Sequence, residues 1–433
     1  MPDLSNLFAT ALSLEPTASS LKPSRGQSRG VPPITDSRPV LQLNSIPSVI
    51  DLVKYKDAYA ADNPDGDYLA AYRFRALSNQ IPTFTRYYGL SGNTVEKIWG
   101  NLVYGAEALS PATQLLLSEA QDTFDNYKLS NLSGIPDPWR PVGAWPPTWY
   151  DLIDDAPLLH LDLDGQALST DEFNIIGQED QLVWKTQGNS AEIAGQVQRI
   201  SLKILKVSLL REWLDFQLLS SGDWRMPYRE GYYSSGNLNS NDGIFPLLPT
   251  NVIVGTEVTV EGDWMAADRR IIESHRQQGI PLSLGPFPLN VGKSNALTID
   301  SAGTIRSKVA HIVGYISALV PFTPKVSTLV PGSVLVQNNG AYIARFSVQY
   351  QQAANTTTLE SGNFPALSGK NIDIPASAAN ITVKIEIMTF PYPVETWKTV
   401  ANYQFNKPVT KSYRLSGTTV APEIAEIDFP RSR

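Results

Sequence analysis

The chain has no cysteine in 433 residues. That excludes disulfides, zinc held by thiolates and thiol nucleophiles, and it leaves the fold independent of redox state. Histidine is almost absent too: there are only three, His160, His275 and His311. They stand far apart in sequence, and none falls in a paired metal-ligand motif such as His-Glu-x-x-His. No Gly-x-Ser-x-Gly elbow or phosphate-cradling Walker loop occurs. No catalytic constellation is readable, so a non-enzymatic protein without cofactor or metal is expected. Charge is sparse at 18% and acidic in balance, 35 Lys and Arg against 42 Asp and Glu. Broad nucleic-acid binding needs clustered cations that displace counterions from phosphates, and a net charge of −7 argues against it. Long apolar runs are missing as well. The longest, around 310–322, is broken by His311 and Pro321 and is too short to cross a bilayer as a helix. The start, Met1-Pro2-Asp3-Leu4, lacks the basic stretch and apolar core of a leader, so any export is expected to follow a non-classical route.

What is present leans toward strands. Apolar residues make up 42%, with 9 Trp, 18 Tyr and 32 Pro, and aromatic residues favour pleated surfaces while proline shapes loops. The length suggests about two to four folding units. The expected class is multidomain α+β, with a helical and β-rich N-terminal region followed by a C-terminal antiparallel β-sandwich. Residues 1–45, with Lys22-Pro23-Ser24-Arg25-Gly26-Gln27-Ser28-Arg29-Gly30 at their centre, read as a flexible arm, because such composition buries too little surface to offset ordering. Residues 46–150 read as a helical and Pro/Trp-rich segment. Ser110-Pro111 is a start signal for a helix over 111–128, and further helices are expected over 68–77 and 94–102. The prolines and tryptophans of 135–150 suit the wrapping of a domain seam, a polyproline-binding surface or an aromatic sugar platform. Residues 151–329 read as a β-rich α+β domain. There 196–209 alternates with a one-residue slip at Ile204-Leu205, which predicts a bulge, and 251–260 and 307–319 are further strands. Asp162-Leu163-Asp164-Gly165 carries only a fragment of a calcium-loop pattern and reads as a turn.

From 330 to 433 short alternating segments follow one another, at 334–336, 341–350, 371–374, 381–387, 397–405 and 412–415, separated by turns rich in Gly, Asn, Pro and Ser. Tyr342, Ala344, Phe346, Val348 and Tyr350 share one face, as do Ile381, Val383, Ile385 and Ile387. This pattern predicts a β-sandwich.

Four ordered blocks in this stretch carry a resemblance: Asn339-Gly340-Ala341-Tyr342-Ile343-Ala344-Arg345, Asn380-Ile381-Thr382-Val383-Lys384-Ile385, Trp397-Lys398-Thr399-Val400 and Gly417-Thr418-Thr419-Val420-Ala421-Pro422. Over about residues 334–428 the chain resembles the membrane-binding fourth domain of the cholesterol-dependent, or thiol-activated, cytolysins. The resemblance implies a sandwich that stands end-on to a membrane, with tip loops at 338–341, 367–370, 388–396 and 417–421. The family's Trp-rich undecapeptide corresponds here to Ile387 through Lys398, where Thr389 and Trp397 match. Its sterol-recognising Thr-Leu pair falls at Thr419-Val420, with valine in place of leucine. The membrane- or ligand-binding residues implied are Ala341, Phe390, Tyr392, Trp397, Lys398, Thr419 and Val420. The expected function is that of a toxin-like protein docking on membrane lipid, sterol among the candidates, and oligomerising into a pore. The alternative is a glycan- or protein-recognition and assembly protein that uses the same tip.

Overall fold

Why the residues before 45 fold is visible in their first turns. In a computed structural model, Leu4–Leu14 is a helix whose Leu4, Leu7, Phe8, Ala9 and Leu12 are buried, a stripe at helical spacing that must be covered. Asp3 starts it by accepting from the backbone N–H of Ser5 at 3.0 Å and of Asn6 at 3.3 Å, and Arg86 pairs with the same carboxylate. Val40–Val49 is a strand with its first five residues buried. The arm expected over 1–45 therefore contains two ordered elements. The Lys22–Gly30 stretch that suggested it lies outside the described residues, which are 3–14, 38–129, 138–163, 172–177, 182–186, 189–190, 192–292, 297–327, 331–352, 355–390 and 395–428.

The chain divides into two compact units, Met1–Arg225 with Glu230–Lys325, and Met226–Arg229 with Val326–Arg433. The first is α+β and is built on two long antiparallel strands, Gln196–Leu210 and Leu247–Asp263. The outer edge of Gln196–Leu210 takes Leu158–Asp162 and Gly143–Trp145. The other edge of Leu247–Asp263 takes His311–Leu319 and Ile305–Ser307, and Val40–Val49 extends the sheet beyond His311–Leu319. Every residue of His311–Leu319 is buried. The apolar run found around 310–322 is thus a central strand, covered on both faces. Among the described residues no helix is long and apolar enough to cross a membrane.

The slip at Ile204-Leu205 is present in burial, since both residues are inside. The extra residue, however, sits on the partner: Ser201 faces Thr259 and Lys203 faces Thr256, and Glu257 takes φ 50° there. The helices begin where capping chemistry places them. Ser110 Oγ accepts from Thr113 N–H ahead of Pro111–Asn126, Thr94 caps Val95–Gly105, and Asp67 caps Tyr68–Ser78. Trp139 and Trp149 of the Pro/Trp stretch are buried.

In the second unit two four-stranded sheets form the sandwich. One runs Ser368–Ile374, Gly332–Asn338, Thr410–Gly417, Pro422–Ile427, and the other Asn355–Glu360, Ala344–Gln352, Ala379–Phe390, Thr396–Phe405. Gly332–Asn338 and Thr410–Gly417 are parallel, so the sandwich is not antiparallel throughout. The predicted inward faces are the core: Ala344, Phe346, Val348 and Tyr350 meet Ile381, Val383, Ile385 and Ile387, with Val334, Val336, Tyr413 and Leu415 from the facing sheet.

Candidate functional site

Strand register decides which loops meet. Asn338 pairs with Ser368 and with Leu415, Gly417 with Pro422, Ala344 with Ile387, and Phe390 with Thr396. The turns 339–343, 361–367 and 417–422 and the strand ends Phe390 and Thr396 therefore all lie at one end of the sandwich, where the resemblance placed the tip.

Each of these turns is fixed by its own backbone. The buried Asn338 donates from Nδ2 to the Tyr342 carbonyl at 2.7 Å and accepts from Gly340 N–H at 3.0 Å. This local ring delays the strand expected from 341 until Ala344 and leaves Ala341 exposed. Tyr342 turns inward and donates to the Ser416 carbonyl at 2.8 Å, and Ala341 N–H reaches the Gly417 carbonyl at 3.0 Å. Met388 N–H bonds to the Ile343 carbonyl at 2.8 Å, tying this turn to the second sheet. Gly417, at φ 84°, is obligatory: a Cβ there would lie 2.2 Å from the Ala421 carbonyl oxygen. Thr418 N–H then donates to the Ala421 carbonyl at 3.2 Å, and Ala421 N–H to Thr418 Oγ1 at 3.3 Å. Thr419, half-buried, and Val420, 87% exposed, form the apex.

The neighbouring turn presents Leu367, also 87% exposed, whose N–H donates to the Asn338 carbonyl at 2.6 Å. Its φ is 60°, a left-handed conformation that is uncommon for a non-glycine residue and unfavourable for leucine. The resemblance placed 367–370 at the tip, but Ser368, Gly369 and Lys370 already belong to the strand Ser368–Ile374, and Leu367 was not among the binding residues it implied. Among the turn formers Pro365, Ser368 and Gly369, nothing marked Leu367 as displayed, because its conformation depends on Asn338 in another strand.

The remaining predicted residues are distributed differently. Phe390 ends its strand opposite Thr396, where Thr389 Oγ1 donates to the Thr396 carbonyl at 3.2 Å and closes the loop base. Tyr392 lies outside the described residues. Trp397 stands beside the tip rather than at it: it pairs with Met388 and is half-buried, with the Arg345 guanidinium 4.0 Å from its ring centroid. Arg345 is itself held by Glu386 at 2.9 Å, which also takes Lys384 at 2.7 Å. Burial opposes ionisation of Glu386, but hydrogen bonds from Lys384 and Arg345 outweigh it and hold the carboxyl below its ordinary value. Lys398 is exposed one residue further on. The structure thus gathers Ala341, Thr419 and Val420 with Leu367, and sets Trp397 in a clamp on the sheet below them. Elsewhere, among the described residues, no group of three His, Cys, Asp or Glu is placed to hold a metal ion.

Residues 333–423 match the family model described as the thiol-activated cytolysin beta sandwich domain. No curated protein matches the chain. Among solved structures, the membrane-binding domain of pneumolysin is similar at 18% identity over 24% of this chain and 100% of that one, with a TM-score of 0.20. Listeriolysin O is similar at 11% identity over 54% of this chain and 57% of that one, TM-score 0.20. A non-hemolytic pneumolysin from Streptococcus pneumoniae strain ST306 is similar at 13% identity over 54% and 59%, TM-score 0.19. The chain thus spans under two thirds of the latter two proteins. The C-terminal sandwich resembles the cytolysin membrane-binding domain, and the match to that family covers residues 333–423 of the 433.

Proposed function

We propose that the protein is a non-enzymatic, toxin-like membrane-binding protein that docks on lipid through the tip of its C-terminal sandwich. The observation that carries this is the pair Leu367 and Val420, each 87% exposed at the same end of one sandwich. Soluble surfaces tolerate single exposed apolar residues, but two at the same end of one sandwich suit insertion into an apolar phase. Burying a leucine or valine side chain is worth about 1.5–3 kcal/mol. Ala341 and Thr419 would sit at the same depth, with Phe390 and Tyr392 on the loop beside them. Trp397 and Lys398 would lie at headgroup level, where an aromatic body beside a cation is favoured. Sterol is one candidate lipid, and oligomerisation into a pore is the further step that the cytolysin resemblance suggests.

Flotation of the full chain with liposomes of varied composition, with and without sterol, tests docking. Leakage of an encapsulated dye separates docking from pore formation. Leu367→Gly should stabilise the sandwich, because it relieves the left-handed strain of about 1–2 kcal/mol, and yet weaken flotation by an order of magnitude or so. A folded wild type that floats with no liposome composition would refute docking. Retained flotation by a Leu367→Gly, Val420→Ser double variant would refute the role of this pair. Binding to a glycan array without lipid binding would select the recognition alternative.

A further inference from the structure

In the first unit the loop from Asp57 to Asp67 faces part of the Pro/Trp stretch of 135–150. This loop is closed on itself: Asp67 N–H donates to the Asp57 carbonyl at 2.6 Å, Tyr59 N–H to the Asp67 carbonyl at 3.0 Å, and Asn63 Nδ2 to the Ala58 carbonyl at 3.2 Å. A Cβ on Gly66 would come within 2.7 Å of Tyr59 N, so the closure requires glycine there. Against this loop sit two adjoining hollows of about 240 Å³ each, which share Tyr59, Ala60, Asp62, Gly143 and Ala144.

The lining is aromatic and acidic. Tyr55, Tyr59, Phe74, Trp149 and Tyr150 supply rings, and Asp57, Asp62 and Glu212 supply carboxylates. No lysine or arginine is among the described residues that line either hollow. Arg73, whose charge reaches the Tyr55 hydroxyl, is outside the lining. The hydroxyl of Tyr59 is raised first by burial and then by the charges of Tyr68 and Glu212, so the field of the Glu212 carboxylate reaches into the cleft.

The rings are set at angles. Tyr55 and Phe74 stand 6.3 Å apart at 78°, Tyr55 and Trp149 5.6 Å apart at 41°. Phe74 and Trp149 are buried beneath this packing, which leaves the half-buried Tyr55 and Tyr59 as the rings that the hollow offers. Asp57 is held at φ 49°, an uncommon conformation for a residue other than glycine, by Tyr150. The Tyr150 hydroxyl accepts from Asp57 N–H at 3.0 Å and donates to Asp57 Oδ1 at 3.1 Å. Strained backbone at a preformed hollow is where binding groups gather.

We infer that this cleft binds an alkylated ammonium group of the choline type, its charge met by Asp57, Asp62 and Glu212 and its methyl groups by the rings of Tyr55 and Tyr59. Such a cation is weakly hydrated and is attracted to aromatic faces, whereas carboxylates alone would equally take a hydrated metal ion. The rigid loop lowers the ordering cost of binding. A choline group comes either as a soluble compound or as a lipid headgroup, and both present the same trimethylammonium.

The test is calorimetric titration of the full chain with choline and with 3,3-dimethyl-1-butanol, its uncharged carbon isostere. Choline should bind at least about tenfold more tightly than the isostere. Asp62→Asn with Glu212→Gln should abolish that preference, and Ala60→Arg should abolish binding by placing a competing cation in the cleft while leaving every ring in place. Unchanged melting of each variant shows that the fold is intact. Competition between choline and phosphatidylcholine vesicles would assign the lipid source, and choline binding that such vesicles leave unaffected would assign a soluble one. Equal affinity for choline and the isostere, no heat with choline, or heat with glucose in place of choline would each overturn the inference.

Discussion

His311 should make the first unit lose stability on mild acidification, by an amount that the structure allows to be worked out. The residue opens the central strand, between Val49 on one neighbour and Gly255 on the other, and is 0% exposed. Its Nδ1 lies 3.0 Å from the Val309 carbonyl, its Nε2 has no hydrogen-bond partner among the described residues, and Phe287 stands edge-on at 6.3 Å. Gly255 leaves room for the ring: a Cβ there would lie 3.1 Å from both Cε1 and Nε2. Burial pushes the imidazole down from 6.5 to about 4, against the smaller opposing effect of the Val309 hydrogen bond. The folded state therefore holds the ring neutral where the unfolded chain would already take a proton. The contribution is whole above pH 6.5 and is lost as pH falls toward 4. At about 1.36 kcal/mol per unit, the loss across that window is about 3 kcal/mol. Carboxylates titrate near the lower end too, so the informative quantity is the gap between wild type and His311→Val in urea unfolding. The variant leaves a cavity and should be the less stable protein at neutral pH, but the gap should close by about 3 kcal/mol between pH 6.5 and 4. A gap that stays constant across that window would refute the reasoning.

Two further substitutions follow from ion pairs. Glu96 is buried and takes Arg75 at 2.6 Å and Arg140 at 3.3 Å, with Arg140 stacked 3.2 Å from the Phe124 ring centroid. Glu96→Gln removes the charge shared by the buried Arg140 and the partly buried Arg75, but Arg140 keeps Asp125 at 3.5 Å and the Phe124 carbonyl, so the change should cost about 1–3 kcal/mol, read as a lowered melting temperature. Arg345→Met keeps the stem over Trp397 but removes the charge, so the sandwich should lose about 1 kcal/mol or less and Trp397 emission should change. The Glu386 carboxyl should then titrate closer to its ordinary value in a carbon-detected pH series. Its stabilising contribution, present at neutral pH and lost on acidification, should shrink accordingly.

Legibility in the sequence followed how local the cause was. The caps at Ser110, Thr94 and Asp67 act within three residues, and those helices start where predicted. The inward faces of Ala344–Gln352 and Ala379–Phe390 follow from a period of two and were equally readable. Strands Asn355–Glu360 and Pro422–Ile427 were not, because both are sheet edges with little burial and so carry no apolar alternation. Helix Leu4–Leu14 was hidden by the compositional bias of the residues that follow it. Trp397 was readable as an aromatic near the tip. Its clamp was not, since Arg345 and Glu386 come from two other strands.

The tip itself shows why display, rather than composition, is the informative property. A fold that needed only a left-handed residue between two strands would be served by glycine, as it is at Gly362 and Gly417. At position 367 it carries leucine instead, which adds strain of about 1–2 kcal/mol and leaves an apolar side chain in water. The cost is not recovered within the sandwich, because a side chain 87% exposed makes little contact there. Val420 repeats the pattern on another turn at the same end, with Gly417 absorbing the backbone requirement so that a β-branched residue can occupy the apex. Two turns, from separate strands and with different backbone solutions, expose aliphatic side chains at the same end. A requirement of folding would explain the turns but not the residues placed on them, whereas the proposed docking on an apolar phase would account for each.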